Sequence, residues 1–149
     1  MKGSWREAQT AINGDHNMLK NPITNTGETA LHIAASSGHL DFVQNYVDNV
    51  KTGREDLEIM NFKHMTALPF AAASGVPEIA KVLVTKNSRL PNICSDGGVK
   101  AVQIAIMHGC TAMSDFLYSQ TSLDNWTPTE RATLLTSCIS SGLLGKADY

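Results

Sequence analysis

A ten-residue phrase ending in glycine occurs four times in this chain at a nearly fixed interval, and that periodicity constrains the fold more than any other property of its 149 residues. Thr29-Ala-Leu-His-Ile-Ala-Ala-Ser-Ser-Gly38 is followed by Thr66-Ala-Leu-Pro-Phe-Ala-Ala-Ala-Ser-Gly75 and by Lys100-Ala-Val-Gln-Ile-Ala-Ile-Met-His-Gly109. Thr133-Leu-Leu-Thr-Ser-Cys-Ile-Ser-Ser-Gly142 completes the series. The closing glycines lie 37, 34 and 33 residues apart, and Gly3 stands 35 residues before Gly38. A period of this length means a stack of supersecondary units, each unable to bury its apolar face without a neighbour.

Each position of the phrase has a physical reading. Thr29 can cap a helix by accepting a backbone N–H, and Ala34 with Ala35 lets a short helix sit close to its neighbours. Gly38 falls where that helix must stop and the chain reverse, a site that favours positive φ. A second helix then follows in each copy, with apolar residues at three- and four-residue steps. They are Phe42, Val43, Tyr46 and Val47, then Ile79, Ala80, Leu83 and Val84, then Met113, Phe116 and Leu117 with Tyr118 alongside. Such aromatic and methionine stripes read as packing.

The departures from the phrase are equally informative. Near the amino end Trp5, Ala8 and Ile12 keep a helical spacing, so residues 1–23 read as the second half of a unit. The stretch from Asp48 to Met60 is longer than a 33-residue unit allows and reads as a solvated loop, since lengthening a surface connection costs little entropy. Pro69 replaces His32 in the first helical turn, where its missing N–H would have been unpaired, at the cost of one side-chain hydrogen bond. In the third copy Lys100 replaces the capping threonine and Gln103 the histidine. Thr127-Pro-Thr-Glu130 reads as a capping box with proline at the first helical position. It predicts a helix from near Pro128 to about Ser141 in place of a hairpin, with the unit's second helix short or absent.

Several function classes are set aside. Twelve Lys and Arg against fourteen Asp and Glu give a net charge of −2, with no run of positive charge able to track a phosphate backbone, so no nucleic acid partner is indicated. Apolar runs such as 79–84 fall far short of the ~20 residues needed to cross a bilayer, and no signal-peptide pattern opens the chain. The expectation is a soluble, unsecreted chain whose segment does not itself insert into a membrane. Cys94, Cys110 and Cys138 are odd in number and widely spaced, which suits reduced thiols rather than a disulfide framework or a metal knuckle. Among the histidines, His16, His32, His39, His64 and His108, none forms a His-Glu-x-x-His pair. Neither a phosphate-cradling glycine loop nor a Gly-x-Ser-x-Gly elbow occurs. Cys110, two residues after His108, could be a nucleophile only if the fold joined the two in one pocket, and it reads better as packing at a helix start. No catalytic residue, metal site or cofactor is expected, and the chain is not read as an enzyme.

The core Thr-x-Leu-His-x-Ala-Ala-x-x-Gly-His closely resembles the ankyrin repeat, whose unit is a hairpin finger and two antiparallel helices. The resemblance implies an all-α solenoid in a single domain. Its units would be residues 1–23, 24–60, 61–94, 95–127 and 128–149, about three full repeats with partial units at both ends. His32 and His39 then occupy the family's structural positions. The resemblance further implies protein binding through the concave surface of fingers and first helices, with specificity in its variable positions. On the fingers those are Asn25, Thr26 and Glu28, then Phe62, Lys63 and Met65, then Asp96 and Val99. On the first helices they are Ser36 and Ser37, Ala73 and Ser74, and Met107 and His108. Phe62 and Met65 suit the buried centre of an interface, although Phe62 could equally fold back on its neighbouring finger.

Lys2-Gly-Ser-Trp5, the stretch from Asn25 to Ala35, Lys86-Asn-Ser-Arg-Leu-Pro91 and the Leu134-Leu135 helix are similar to plant ankyrin proteins that end in a membrane domain. That likeness implies a scaffold in plant defence or stress signalling. Its location would be cytoplasmic, at the cytoplasmic face of the plasma membrane where a tether is present. The alternative it carries is a regulatory or self-associating domain of a membrane channel-like protein, whose partner is its own chain.

Overall fold

The computed structural model of the chain describes residues 6–7, 15–49, 51–124 and 126–142. Trp5, Ala8 and Ile12, and so the reading of the amino-terminal helix, lie outside the described residues. Asp15 caps a short 3-10 turn, His16–Lys20, by accepting from the Asn17 N–H at 3.0 Å. Then come paired helices: α1 (Ala30–Ser36) with α2 (Leu40–Asp48), α3 (Ala67–Ser74) with α4 (Pro77–Lys86), and α5 (Ala101–Met107) with α6 (Thr111–Gln120). A last helix, α7 (Pro128–Ser141), closes the described chain. The fold is an all-helical solenoid of about three repeats, with no strand among the described residues.

Two layers result. The inner helices stack in the order α1, α3, α5, α7, and the outer helices in the order α2, α4, α6. What allows the inner stack is one column of small residues: Ala34, Ala71, Ala105 and Cys138 share a register and all are buried. Cys138 serves as a small apolar residue in the alanine position, and burial pushes its thiol pKa up. The outer stripes close the core, with Val43, Ile79, Ala80, Leu83, Met113 and Leu117 at 0% exposure, while Phe116 and Tyr118 are half-buried. Gly38, Gly75, Gly109 and Gly142 end their helices with φ between +71° and +76°, the left-handed turn that an L side chain resists.

One expectation needs correction. The stretch from Asp48 to Met60 is not a wholly solvated loop. Thr52, Asp56 and Leu57 are buried, and a 3-10 turn, Glu55–Glu58, presses Leu57 into the core. Thr52 Oγ1 donates to the Tyr46 carbonyl at 2.7 Å, and the Asp56 carboxylate accepts from the Gly53 N–H and pairs with Lys20 at 2.8 Å. Asn87, the C-cap of α4, holds the segment by donating to Arg54 O and Glu58 Oε1. The insertion is a packed brace because its polar residues find partners at both ends. Thr29 caps α1 as expected and does so reciprocally: its side chain faces the His32 N–H, and its own N–H donates to His32 Nδ1 at 3.1 Å.

The first helix of the carboxy-terminal unit follows the sequence pattern, while the expectation of a short or absent second helix lies outside the described residues. Thr127 Oγ1 accepts from the Glu130 N–H at 3.2 Å and Glu130 Oε2 accepts from the Thr127 N–H at 2.6 Å, a reciprocal box with Pro128 at the first helical position. Leu31, Leu68 and Val102 are buried, as are Ala35, Ala72 and Ile106, yet at the same registers Leu135 and Ile139 are 42% and 60% exposed. No helix among the described residues is long and apolar enough to cross a membrane.

Candidate functional site

The fingers owe their shape to short polar residues at their bases. Thr24 Oγ1 accepts from the Glu28 N–H, Asn61 Oδ1 accepts from the N–H groups of Lys63 and Met65, and Ser95 Oγ donates to the Val99 carbonyl. Neighbouring fingers are joined through their backbones: Phe62 N donates to Thr26 O at 3.0 Å, and Asp96 N to Lys63 O at 3.1 Å. The bend of each finger falls on one register, occupied by Gly27, His64 and Gly98, all at positive φ. His64, at +57°, is the non-glycine among them, and its Nδ1 lies 2.7 Å from Asp96 Oδ1 on the next finger. Left-handed backbone is uncommon at a side-chain-bearing residue, and histidine is one of the types that adopts it most readily. Gly27 is required for a second reason, since a Cβ there would lie 2.7 Å from the Phe62 ring.

Phe62 therefore lies across the first finger and still leaves 68% of its surface exposed. Both readings of this residue have a counterpart: it folds back, and it remains open to solvent. Asn25, Thr26, Lys63 and Asp96 are exposed on the fingers, as are Ser36, Ser37, Ala73, Met107 and His108 on the helix face. Met65, Ser74 and Val99 are half-buried.

Glu28 departs from its expected place as a presented side chain, being 8% exposed. Its carboxylate accepts from the hydroxyls of Thr24 and Thr26, and from Asn61 Nδ2 at 2.8 Å on the second finger. The Thr24 hydroxyl foremost, then Thr26 and Asn61, hold its pKa down to about 2. Next to it, His32 Nε2 is 2.9 Å from the Met65 carbonyl, so one neutral tautomer serves both contacts: Nδ1 accepts from Thr29 and Nε2–H donates to Met65. Burial lowers the imidazole pKa and favours that neutral form. Phe70 on α3 packs edge-on against the same ring, centroids 5.3 Å apart.

Between the second finger and the inner helices α3 and α5 lies a groove of about 350 Å³. It brings together Thr26, Glu28, Lys63, Met65, Ala73 and His108 from the expected set, with Asn61, Pro69, Phe70 and Ile104 completing its walls. Phe62, Met107, Asp96 and the other candidates stand outside it. Cys110 is not among the residues that line it. The described residues contain no cluster of three or more His, Cys, Asp or Glu suited to a metal ion.

A second polar cluster, unforeseen in the sequence, fixes α7 to the third unit. Lys100 is buried, with Nζ 3.2 Å from Glu130 Oε1 and 4.3 Å from the Trp126 ring centroid. The Cys94 thiol donates to the same Glu130 oxygen at 2.9 Å. That bond, with help from the Thr127 N–H and Lys100, holds the Glu130 pKa down to about 2, while burial and Glu130 push Cys94 up. Gln103 Oε1 takes the Lys100 N–H at 2.6 Å, as His32 takes that of Thr29, but its Nε2 is buried without a partner. The capping box already contained Glu130; what it could not reveal was the buried cation beneath it.

The model of the family described as Ankyrin repeats (3 copies) matches residues 7–92. The chain belongs to the ankyrin-repeat family. It is similar to the B-cell lymphoma 3 protein homolog of Mus musculus, 24% identical over 128 residues, which are 78% of this chain and 29% of that protein. It is also similar to the B-cell lymphoma 3 protein of Homo sapiens, 32% identical over 82 residues, 55% of this chain and 18% of that one. The chain thus spans less than a third of the length of either relative. Ankyrin repeats are protein-binding modules, and the finger and inner-helix geometry is the surface such a module offers.

Both depressed carboxylates contribute stability that is present above the unfolded pKa and lost as pH falls towards the folded one. Thermal melts between pH 6 and pH 2 should therefore show stability falling from about pH 4.5 downwards, and Glu28→Gln with Glu130→Gln should flatten that fall. An equally steep fall in the double variant would assign acid sensitivity to other groups.

Proposed function

We propose that this ankyrin-repeat domain binds a partner protein across the fingers and inner helices. The residues we assign to recognition are Asn25, Thr26, Ser36, Ser37, Phe62, Lys63, Met65, Ala73, Ser74, Asp96, Val99, Met107 and His108, with Glu28 beneath them as a brace. One observation carries the reading: Phe62 and Met107, two of the most exposed large apolar side chains described, at 68% and 63%, stand on the finger and inner-helix side. Large apolar groups rimmed by polar ones mark interaction surfaces. The motif likeness noted above supports a scaffold role in plant defence or stress signalling, in the cytoplasm or at the cytoplasmic face of the plasma membrane.

Phe62→Ala and Met107→Ala should each shift stability by no more than about 0.5–1 kcal/mol, as exposed substitutions do, while abolishing recovery of proteins that wild type copurifies from native tissue. A large loss of melting temperature in Phe62→Ala, or unchanged partner recovery by both variants, would contradict the assignment.

A second reading, a regulatory or self-associating domain of a membrane channel-like protein, is supported by Leu135 and Ile139. Their registers are covered in the preceding units and bare on α7. Light scattering tests it directly: a mass above the monomer that Ile139→Asp returns to the monomer supports self-association, and a monomer at all concentrations excludes it.

A further inference from the structure

We propose that the groove between the second finger and helices α3 and α5 takes an acidic segment of the partner, with an apolar side chain on its floor and an Asp or Glu carboxylate at Lys63 and His108. The inference rests on the concave-face reading above and adds the chemistry of what is bound. It follows from which polar groups lining the groove are already partnered and which are not.

The groove's own carboxylate is Glu28, which is ionised and already accepts from three donors, Thr24, Thr26 and Asn61. Two donors at the groove have no such partner. Lys63 gives its N–H to Asn61 Oδ1 and its carbonyl to Asp96, but among the described residues its ammonium has no partner. His108 donates its backbone N–H to Ile104 O, and its exposed imidazole likewise meets no polar group. Asp96, on the third finger and outside the groove, is paired with His64. Two unpartnered donors, beside a carboxylate already engaged by three, favour a segment that brings an acceptor, and the Lys63 ammonium favours a carboxylate over a cationic group placed against it.

Size and shape narrow the choice further. Met65, Pro69, Phe70 and Ile104 give an apolar floor, and about 350 Å³ is room for one or two side chains rather than a whole helix face. A phosphate dianion is less well matched than a carboxylate, because one lysine and no arginine line the groove, alongside the ionised Glu28. The ammonium of Lys63 on a flexible stem suits a carboxylate that arrives with its neighbouring apolar residue already seated.

A display library of random short linear peptides, selected on the full chain, tests this without a known partner. Wild type should enrich peptides with Asp or Glu at a fixed offset from Leu, Ile, Phe or Met, and the enriched peptide should shift the amide resonances of Lys63, Met65, Ile104 and His108. Lys63→Glu should weaken that peptide by about fivefold or more, and Lys63→Met, which keeps the apolar stem, by about twofold, while Lys51→Glu on the outer loop leaves it unchanged. Circular dichroism confirms that each variant is folded. Enriched peptides without a carboxylate, but with the same footprint, would overturn the acidic-segment proposal and leave the concave face standing. A footprint on the outer helices α2 and α4 would overturn both. Failure to enrich any peptide on folded protein would overturn the groove proposal.

Discussion

Everything in this structure depends on four small side chains in one line. Ala34, Ala71, Ala105 and Cys138 let the inner helices approach closely enough for each unit to cover the apolar face of the next. None of these helices is longer than fourteen residues, and the first three have seven or eight. Helices that short are marginal alone in water, so their stability comes from neighbours. Leu31, Leu68 and Val102 are buried because another unit lies against them, and Leu135 is left half-open where the described stack ends.

Around that column, polar side chains adjust the joints. His32 ties its own helix start to the carbonyl of the following finger, and Glu28 ties the first finger to Asn61 on the second. Pro69 cannot repeat the histidine's bond. Gln103 repeats half of it and leaves Nε2 unsatisfied, because the unit after it begins with α7 instead of a finger. Lys100, Glu130, Trp126 and Cys94 hold that atypical unit in place. A buried ion pair of this kind fixes geometry more than it adds stability.

Much of this was legible in the residues alone. The phrase ending in Gly38 recurs in register, so the helices, their glycine ends and their buried stripes follow from periodicity. Thr127-Pro-Thr-Glu130 marked the start of α7 because capping chemistry is local. What was illegible depends on partners far along the chain. Leu57 is one apolar residue among charges, and its burial is decided by Lys20 and Asn87. Glu28 looks like a solvated finger residue until Asn61 is placed beside it. His64 could have been noticed by aligning the fingers rather than the helices, which sets it against Gly27 and Gly98. Of the groove, the sequence supplied the candidates but not the closure: Phe70 and Ile104 enter its wall from two units at once.

The small-residue column is tested most directly by comparing two neighbouring alanines on one helix, Ala71 at 0% exposure and Ala73 on the open face. In urea unfolding followed by circular dichroism, Ala71→Leu should cost about 3 kcal/mol by forcing α1, α3 and α5 apart, whereas Ala73→Leu should stay within about 0.5 kcal/mol of wild type. Equal midpoints for the two variants would mean that close approach of the inner helices does not govern the fold.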